Sequence, residues 1–340
     1  MPFHKDILAL DAMREAERIA ERVRTQVLQV LHKRGAVVAV SGGLDSAACA
    51  ALCTLALGKE RVLALLLPER HSSPESTRLG NELVLALGIK AITHDISSPL
   101  ESVGCYRTQQ EVVKSVFPDA TAEWTFKITM PSLLGHDRLN MPRLTVHTPR
   151  GETFAERLTH NDYLMLVAAT NFKQRIRAMQ VYFHADARNF AACGTPNRLE
   201  YDQGFFVKGG DGLADFKPIA HLYKTQVRTV ATALGVPREI ITRTPTTDTF
   251  PLSQGQDEFF FGVPHDVMDY CLYGCNNGYP PAEVASVLQL EPAIVERIYL
   301  DIARKRRTTS PLHLPALLVD PIPEISALKE QALCAELPAS

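Results

Sequence analysis

Hydrophobic positions along the chain change period several times, and each change marks an element. Residues 10–34 carry Ile19, Val23, Val27, Val30 and Leu31 at helical spacing among acids and bases, which predicts an amphipathic helix stopped by Gly35. "AVVAV" at 36–40 is a short apolar run of β-branched residues and predicts a buried strand. A helix follows from Asp45 to Leu57, stopped by Gly58. The pattern then repeats, with strand "RVLALLLP" at 61–68, a helix from Pro74 to Leu87 before Gly88, and strand "IKAITHDI" at 89–96. Strands and helices alternating across short joints predict a parallel sheet with right-handed crossovers, covered on both faces.

The alternation blurs at about 117–155, where prolines, glycines and the single Trp crowd a stretch read as an insertion or long loop with hairpin character. A long helix is predicted at 155–188 and a strand at "NFAACGT". Helices at 222–234, 264–274, 281–288 and 291–306 follow, then a proline-rich tail over 311–340. The fold class expected is α/β, a doubly wound parallel sheet flanked by helices, with an insertion and a helical C-terminal region. Three divisions are expected: an N-terminal helix (1–34), one catalytic domain (35–310) and the tail (311–340).

Charge narrows the function classes. Lys and Arg total 36 against 38 Asp and Glu, a net −2, which supplies no global field for nucleic acid or an acidic membrane surface. The strongest apolar stretch, "AACAALCTLAL", is far too short to span a bilayer, and the mixed-charge N-terminus is not a secretory signal. Seven cysteines, an odd number, point to a reducing, cytoplasmic setting. Cys49/Cys53 and Cys271/Cys275 are each four apart; the reading favours small core hydrophobes over a metal site.

The chemistry is sought in "SGGLDS" at 41–46, between the first strand and its helix. In a parallel sheet ligands bind at the carboxyl ends of strands. Gly42 and Gly43 let the backbone turn tightly and aim N–H groups into one concavity, while Ser41 and Ser46 add hydroxyls. A phosphate or pyrophosphate is the natural guest. Asp45 would repel it unless a divalent cation lay between, so Asp45 is read as a Mg²⁺ ligand, with plain helix capping as the alternative. There is no lysine at the position that a Walker A loop requires.

The pattern S-G-G-x-D-S after a strand resembles the loop of the ATP pyrophosphatases, which split ATP between the α and β phosphates. "NFKQRIR" (171–177), "CGTPNRLEYDQGFFVKGGDGLADFKPIAHLYKTQV" (193–227) and "TPTTDT" (244–249) look like NAD synthetase, and the resemblance covers roughly 20–306 apart from the insertion. It implies an adenine nucleotide alpha hydrolase-like fold and an ammonia-dependent carbon–nitrogen ligase that amidates deamido-NAD through an acyl-adenylate. ATP is then a co-substrate and Mg²⁺ a cofactor. It also implies site residues. Asp45 and Glu200 would hold the metal, and Ser41, Gly42, Gly43, Ser46, Thr195, Thr246 and Lys224 the ATP or pyrophosphate. Lys224 would also stabilise charge during displacement, and Asp211 would deprotonate ammonia. Arg175, Lys208, Asp215 and Lys305 would hold deamido-NAD. Without those family matches, Glu200, Lys224 and Arg175 read as solvated acid, first-turn lysine and wet helix face.

Three departures stand out: the insertion, Arg304 where the family carries histidine before Lys305, and no amino-terminal glutaminase domain before the first strand. Nitrogen would come as free ammonia or from a separate glutaminase. The resemblance implies a homodimer, and the alternative function is a related ATP pyrophosphatase that adenylates and amidates a different carboxylate.

Overall fold

The computed structural model describes residues 2–130, 132–134, 142–246 and 249–325. In chain order the first elements are helix α1 (Ala12–Thr25), strand β1 (Ala36–Ala39), α2 (Leu44–Leu57), β2 (Val62–Leu66), α3 (Pro74–Leu87) and β3 (Lys90–Thr93). Then come α4 (Ser97–Ser102), α5 (Cys105–Val116), β4 (Thr125–Thr129), β5 (Arg143–His147), β6 (Thr153–Arg157), α6 (His160–Asp186) and β7 (Ala191–Cys193). The chain continues with α7 (Arg198–Gln203), α8 (Lys224–Ala233), α9 (Arg238–Thr242), α10 (His265–Asn276), α11 (Pro281–Leu288) and α12 (Pro292–His313).

The central sheet is parallel, in the order β3-β2-β1-β7. Strand side chains alternate between its two faces. Ala36, Val38, Ala64 and Leu66 enter a core built with α1, α2, α3 and α8. Val37, Leu63, Leu65 and Ala192 enter another, built with α4, α5 and α6. Apolar runs with no polar alternation are what a doubly covered sheet needs. The chain leaves β1 towards β2 and later returns to pair β7 on the opposite side of β1. Strand order therefore reverses between β1 and β7, and a crevice opens outside their carboxyl ends.

The remaining helices α10, α11 and α12 form a separate apolar bundle with Leu199 and the N-terminal Phe3 and Leu8. The stretch read as an insertion folds as a three-stranded antiparallel sheet, β4-β5-β6. Its buried Phe126, Ile128, Leu144 and Val146 pack against Val112, Leu166 and Phe250.

Several boundaries shift from expectation. The helix expected from 155 starts at His160, because 153–157 pair as β6 and the Thr159 side chain caps the helix by accepting from the Asp162 amide. The helix expected over 10–34 is regular only to Thr25, then widens to a π turn at Gln26–Val30. The start of the expected tail is helical: α12 runs through Pro311 to His313, and the Arg307 carbonyl that Pro311 has no amide to meet accepts from Ser310 Oγ (3.1 Å). Helices α4 and α5 lie where no element was expected. The tail beyond 325, parts of the insertion and residues 247–248 of "TPTTDT" lie outside the described residues.

Candidate active site

The turn after β1 is shaped by its own hydroxyls. Ser46 Oγ donates to the Gly43 carbonyl (3.0 Å), and the Ser41 amide donates to Ser46 Oγ (3.2 Å). The Gly43 amide donates to Ser41 Oγ (3.3 Å). Gly42 has φ +76°, and a Cβ there would lie 2.3 Å from the Ser76 carbonyl oxygen, so neither the conformation nor the space admits a side chain. The loop is thus pinned at the amino end of α2, which favours an anion.

Asp45, in the first turn of α2, faces the loops after β7. Its Oδ2 pairs closely with Lys224 Nζ, and its Oδ1 accepts from Asn197 Nδ2 (3.3 Å). Asn197 also caps α7: its Oδ1 accepts from the Leu199 (2.9 Å) and Glu200 (3.2 Å) amides. Glu200 returns the contact, Oε2 accepting from the Asn197 amide (3.2 Å), a capping box. Gln256 Nε2 donates to the other Glu200 oxygen (3.1 Å), and Gln256 Oε1 lies 3.0 Å from His265 Nε2.

The electrostatics follow from this packing. Burial pushes the Glu200 carboxyl up to about 8, the Asp45 charge adds to the rise, and Lys224 pulls it back. Burial lowers the Lys224 ammonium, but Asp45 and Glu200 outweigh it and the net shift is upward. Lys224 is 2% exposed. Its backbone amide and that of Thr225 donate to Asp269 of α10 (3.0 and 2.7 Å). Burial raises the Asp269 carboxyl to about 6 despite those amides. Glu200 and Lys224 are therefore neither solvated acid nor solvated first-turn lysine.

A cavity of about 650 Å³ occupies the crevice. Ser41, Gly43, Asp45 and Ser46 line one side, with Thr195, Glu200, Lys224 and Thr246 beside them. Arg175, Lys208 and Asp211 line the other part, with Phe205, Phe206, Phe259 and Phe260 as apolar wall. Asp211 keeps accessible surface, accepts from the Val207 amide (2.8 Å), and has its carboxyl raised by the protein crowding it. Lys208 Nζ donates to the Pro311 (2.9 Å) and Leu314 (3.1 Å) carbonyls, so it fastens the end of α12. Arg175 is exposed, with Nε donating to the Lys208 carbonyl (3.4 Å).

Asp215 and Lys305 do not line this cavity. Asp215 accepts from the Ala192 amide (2.7 Å) and the Tyr182 hydroxyl (3.1 Å), bracing β7. Lys305 Nζ pairs with Asp301 (2.7 Å) and donates to the Phe260 carbonyl (2.7 Å), behind the aromatic wall. Gly42 also lies off the lining; it sets the turn from behind. Cys49, Cys53 and Cys271 are buried core residues. No group of three or more metal-ligating side chains occurs among the described residues.

Sequence reasoning missed other cations here. Arg243 lines the cavity and donates to the Gly42 carbonyl (3.4 Å) and Ser76 Oγ (3.0 Å), which puts a guanidinium against the Ser41–Ser46 turn. Lys173 is 1% exposed; its Nζ pairs with Glu69 Oε1 (2.9 Å) and donates to the Thr249 carbonyl (2.7 Å). The Tyr106 hydroxyl donates to the other Glu69 oxygen (2.7 Å). Lys173 stands in the stretch 171–177 already singled out, but only the fold shows that it meets Glu69. Lys173→Met leaves Glu69 buried without its cation and is expected to destabilise the fold by about 3 kcal/mol in urea unfolding. Adding Glu69→Gln should restore part of the loss; an unchanged midpoint in the single variant would refute the pairing's structural role.

A family model described as NAD synthase matches residues 15–121 and 137–308. The chain belongs to the NAD synthase family. The NH(3)-dependent NAD(+) synthetase of Mesorhizobium japonicum is 51% identical over 312 residues, 92% of this chain and 98% of that protein. The enzyme of the same description from Rhizobium meliloti is 47% identical over 323 residues, 95% and 96% of the two chains. Among solved structures, an NMN synthetase from Francisella tularensis superposes with TM-score 0.60 at 21% identity, covering 92% of this chain and 99% of that one. An NH3-dependent NAD synthetase from Campylobacter jejuni gives TM-score 0.59 at 19% identity, covering 92% and 100%. These two show that the chain shares its fold with an NMN synthetase and an NAD synthetase. The NAD synthase match breaks off before β4 and resumes before β5.

Proposed function

We propose that this chain is an ammonia-dependent NAD synthetase that amidates deamido-NAD at the expense of ATP. The observation that carries this is identity of 47–51% to NH(3)-dependent NAD(+) synthetases across more than nine-tenths of both chains. A cavity at the reversal point of the sheet, holding the glycine turn, two carboxylates and a buried lysine together, supports it.

In this reading the nicotinate carboxylate attacks the α-phosphorus of ATP, and pyrophosphate leaves into the Ser41–Ser46 turn. Ammonia then attacks the acyl-adenylate, releasing AMP and the amide. Lys224 is fixed and charged by its two acids, and it stabilises negative charge as it develops on the phosphates. Thr195 and Thr246 orient the ATP. Arg175 and Lys208 bind the acceptor. Asp215 and Lys305 act behind the walls, on β7 and on Phe260. Arg243 joins the pyrophosphate side.

Asp45 and Glu200 fit a magnesium ion: two hard oxygen donors beside a phosphate turn, the number that Mg²⁺ takes when phosphates and waters complete its shell. Such an ion would screen the phosphates from the carboxylates and neutralise the leaving pyrophosphate. The protein would work as a homodimer in the cytoplasm. Leu164, Met165, Met179 and Phe183 are all more than half exposed and fall on one face of α6, an apolar strip for a second copy. No helix among the described residues is long and apolar enough to cross a membrane.

The test supplies ATP, Mg²⁺ and ammonium with and without deamido-NAD, and quantifies AMP and NAD. Equal amounts of both products are expected, only with deamido-NAD present. AMP release with another carboxylic acid instead would favour the alternative acceptor. Within the reading, Asp211→Asn should lower amide formation about a hundred-fold while pyrophosphate release falls far less, because only neutral ammonia is a nucleophile. Equal loss of both steps would remove Asp211 from the ammonia step.

A further inference from the structure

The three-stranded sheet has a β4 edge that no fourth strand of its own covers. An open edge of N–H and C=O groups demands a partner, and here the partner is residues 250–262. The Leu252 amide donates to the Phe126 carbonyl (3.2 Å), and the Met130 amide donates to the Glu258 carbonyl (3.3 Å). The Leu133 amide donates to the Gly262 carbonyl (3.0 Å), and Gln254 Nε2 donates to the Ile128 carbonyl. Lys127 Nζ pairs with Glu258 Oε1 (2.7 Å), and the Phe126 and Phe250 rings meet edge to face at 5.9 Å.

The same segment is the inner wall of the active site. Its Gln256 holds Glu200, and Phe259 and Phe260 line the cavity. Phe260 stacks on Phe205 at 4.6 Å, beside the Phe206–Lys208–Asp211 part of the cavity. β4 and residues 132–134 both fall in the stretch that the NAD synthase match leaves out. We propose that the three-stranded sheet is a brace: its β4 edge clamps residues 250–262 in place and so sets the acceptor side of the pocket, with Lys127 and Glu258 as positioning residues. This rests on the proposed function for the identity of the acceptor, not for the clamp.

The Lys127–Glu258 pair tests the brace because neither residue lines the cavity and neither is deeply buried. Lys127→Ala and Glu258→Ala should each raise KM for deamido-NAD about five-fold, the size expected of a favourable partly exposed pair, with KM for ATP and the melting temperature held. The charge-exchanged protein, Lys127→Glu with Glu258→Lys, should return KM towards the wild type; a merely structural role would not give a KM shift that the reversed pair cancels. Unchanged KM values in both single variants, or equal changes in both KM values that the exchange does not cancel, would overturn the proposal. The wild type is assayed in the same series. Should it turn over a different carboxylic acid, the functional reading fails while the brace is still read from that acid's KM.

Discussion

Asp45→Asn is expected to cut AMP formation about a thousand-fold, the rate equivalent of several kcal/mol of lost charge stabilisation, while leaving the fold intact. The fold should survive for a specific reason. The amide is isosteric and can keep the contact with Asn197. Lys224 is not stranded either, because Glu200 also raises its ammonium. With the Asp45 charge gone, Glu200 loses one of the causes of its upward shift and ionises more readily beside the lysine. What disappears is the negative charge of one of the two carboxylates proposed to hold magnesium. A wild-type melt should therefore rise on adding Mg²⁺ with ATP, and the variant's should rise much less. Turnover near the wild-type rate would refute the metal role of Asp45.

Lys224→Met is the second large effect, and it has the opposite structural signature. Methionine fills similar space but removes the ammonium that pairs with Asp45 and whose charge also offsets that of Glu200. Loss of about 3 kcal/mol is expected in magnesium-free urea unfolding, as for one partner removed from a buried ion pair. Mg²⁺ should recover part of it by supplying the missing positive charge. AMP formation should still fall about a thousand-fold with the metal present, because a diffusible ion does not replace a fixed ammonium at the phosphates. A variant as stable as the wild type in a chelator would show that the lysine does not hold the carboxylates together. One that is metal-rescued to full activity would show that it does not act on the phosphates.

How far the sequence could be read depended on whether an element's cause was local. Strand β1, the glycine turn and α2 were legible because β-branched runs, a residue needing positive φ and a small-residue helix are all local signals. α3 was bounded to the residue by proline at its start and glycine after its end. α5 was not, although its apolar positions do fall on one face; its neighbours on α6 are far along the chain. β6 was taken into the long helix because Phe154 to Arg157 carries no strand alternation, and only pairing with β5 decides it. Motif resemblance singled out Asp45, Glu200 and Lys224 and set the two acids on one expected metal site, but nothing in it foretold that the Lys224 ammonium would pair with Asp45. Nothing in the sequence states that Gln256 reaches Glu200, or that Lys305 turns its ammonium to Phe260 and away from the cavity.

Helix α10 contributes no side chain to the cavity wall, yet its Asp269 ties down the first two amides of the helix that begins with Lys224. Met268, Cys271 and Leu272, fully enclosed around it, fix where that carboxylate stands. The terminal bundle is thereby a datum from which the position of the Lys224 ammonium is measured. A repacked bundle interior would tilt α8 and misaim the lysine without touching a substrate-contacting residue, so distant volume changes in this protein would register as altered chemistry before they register as altered shape.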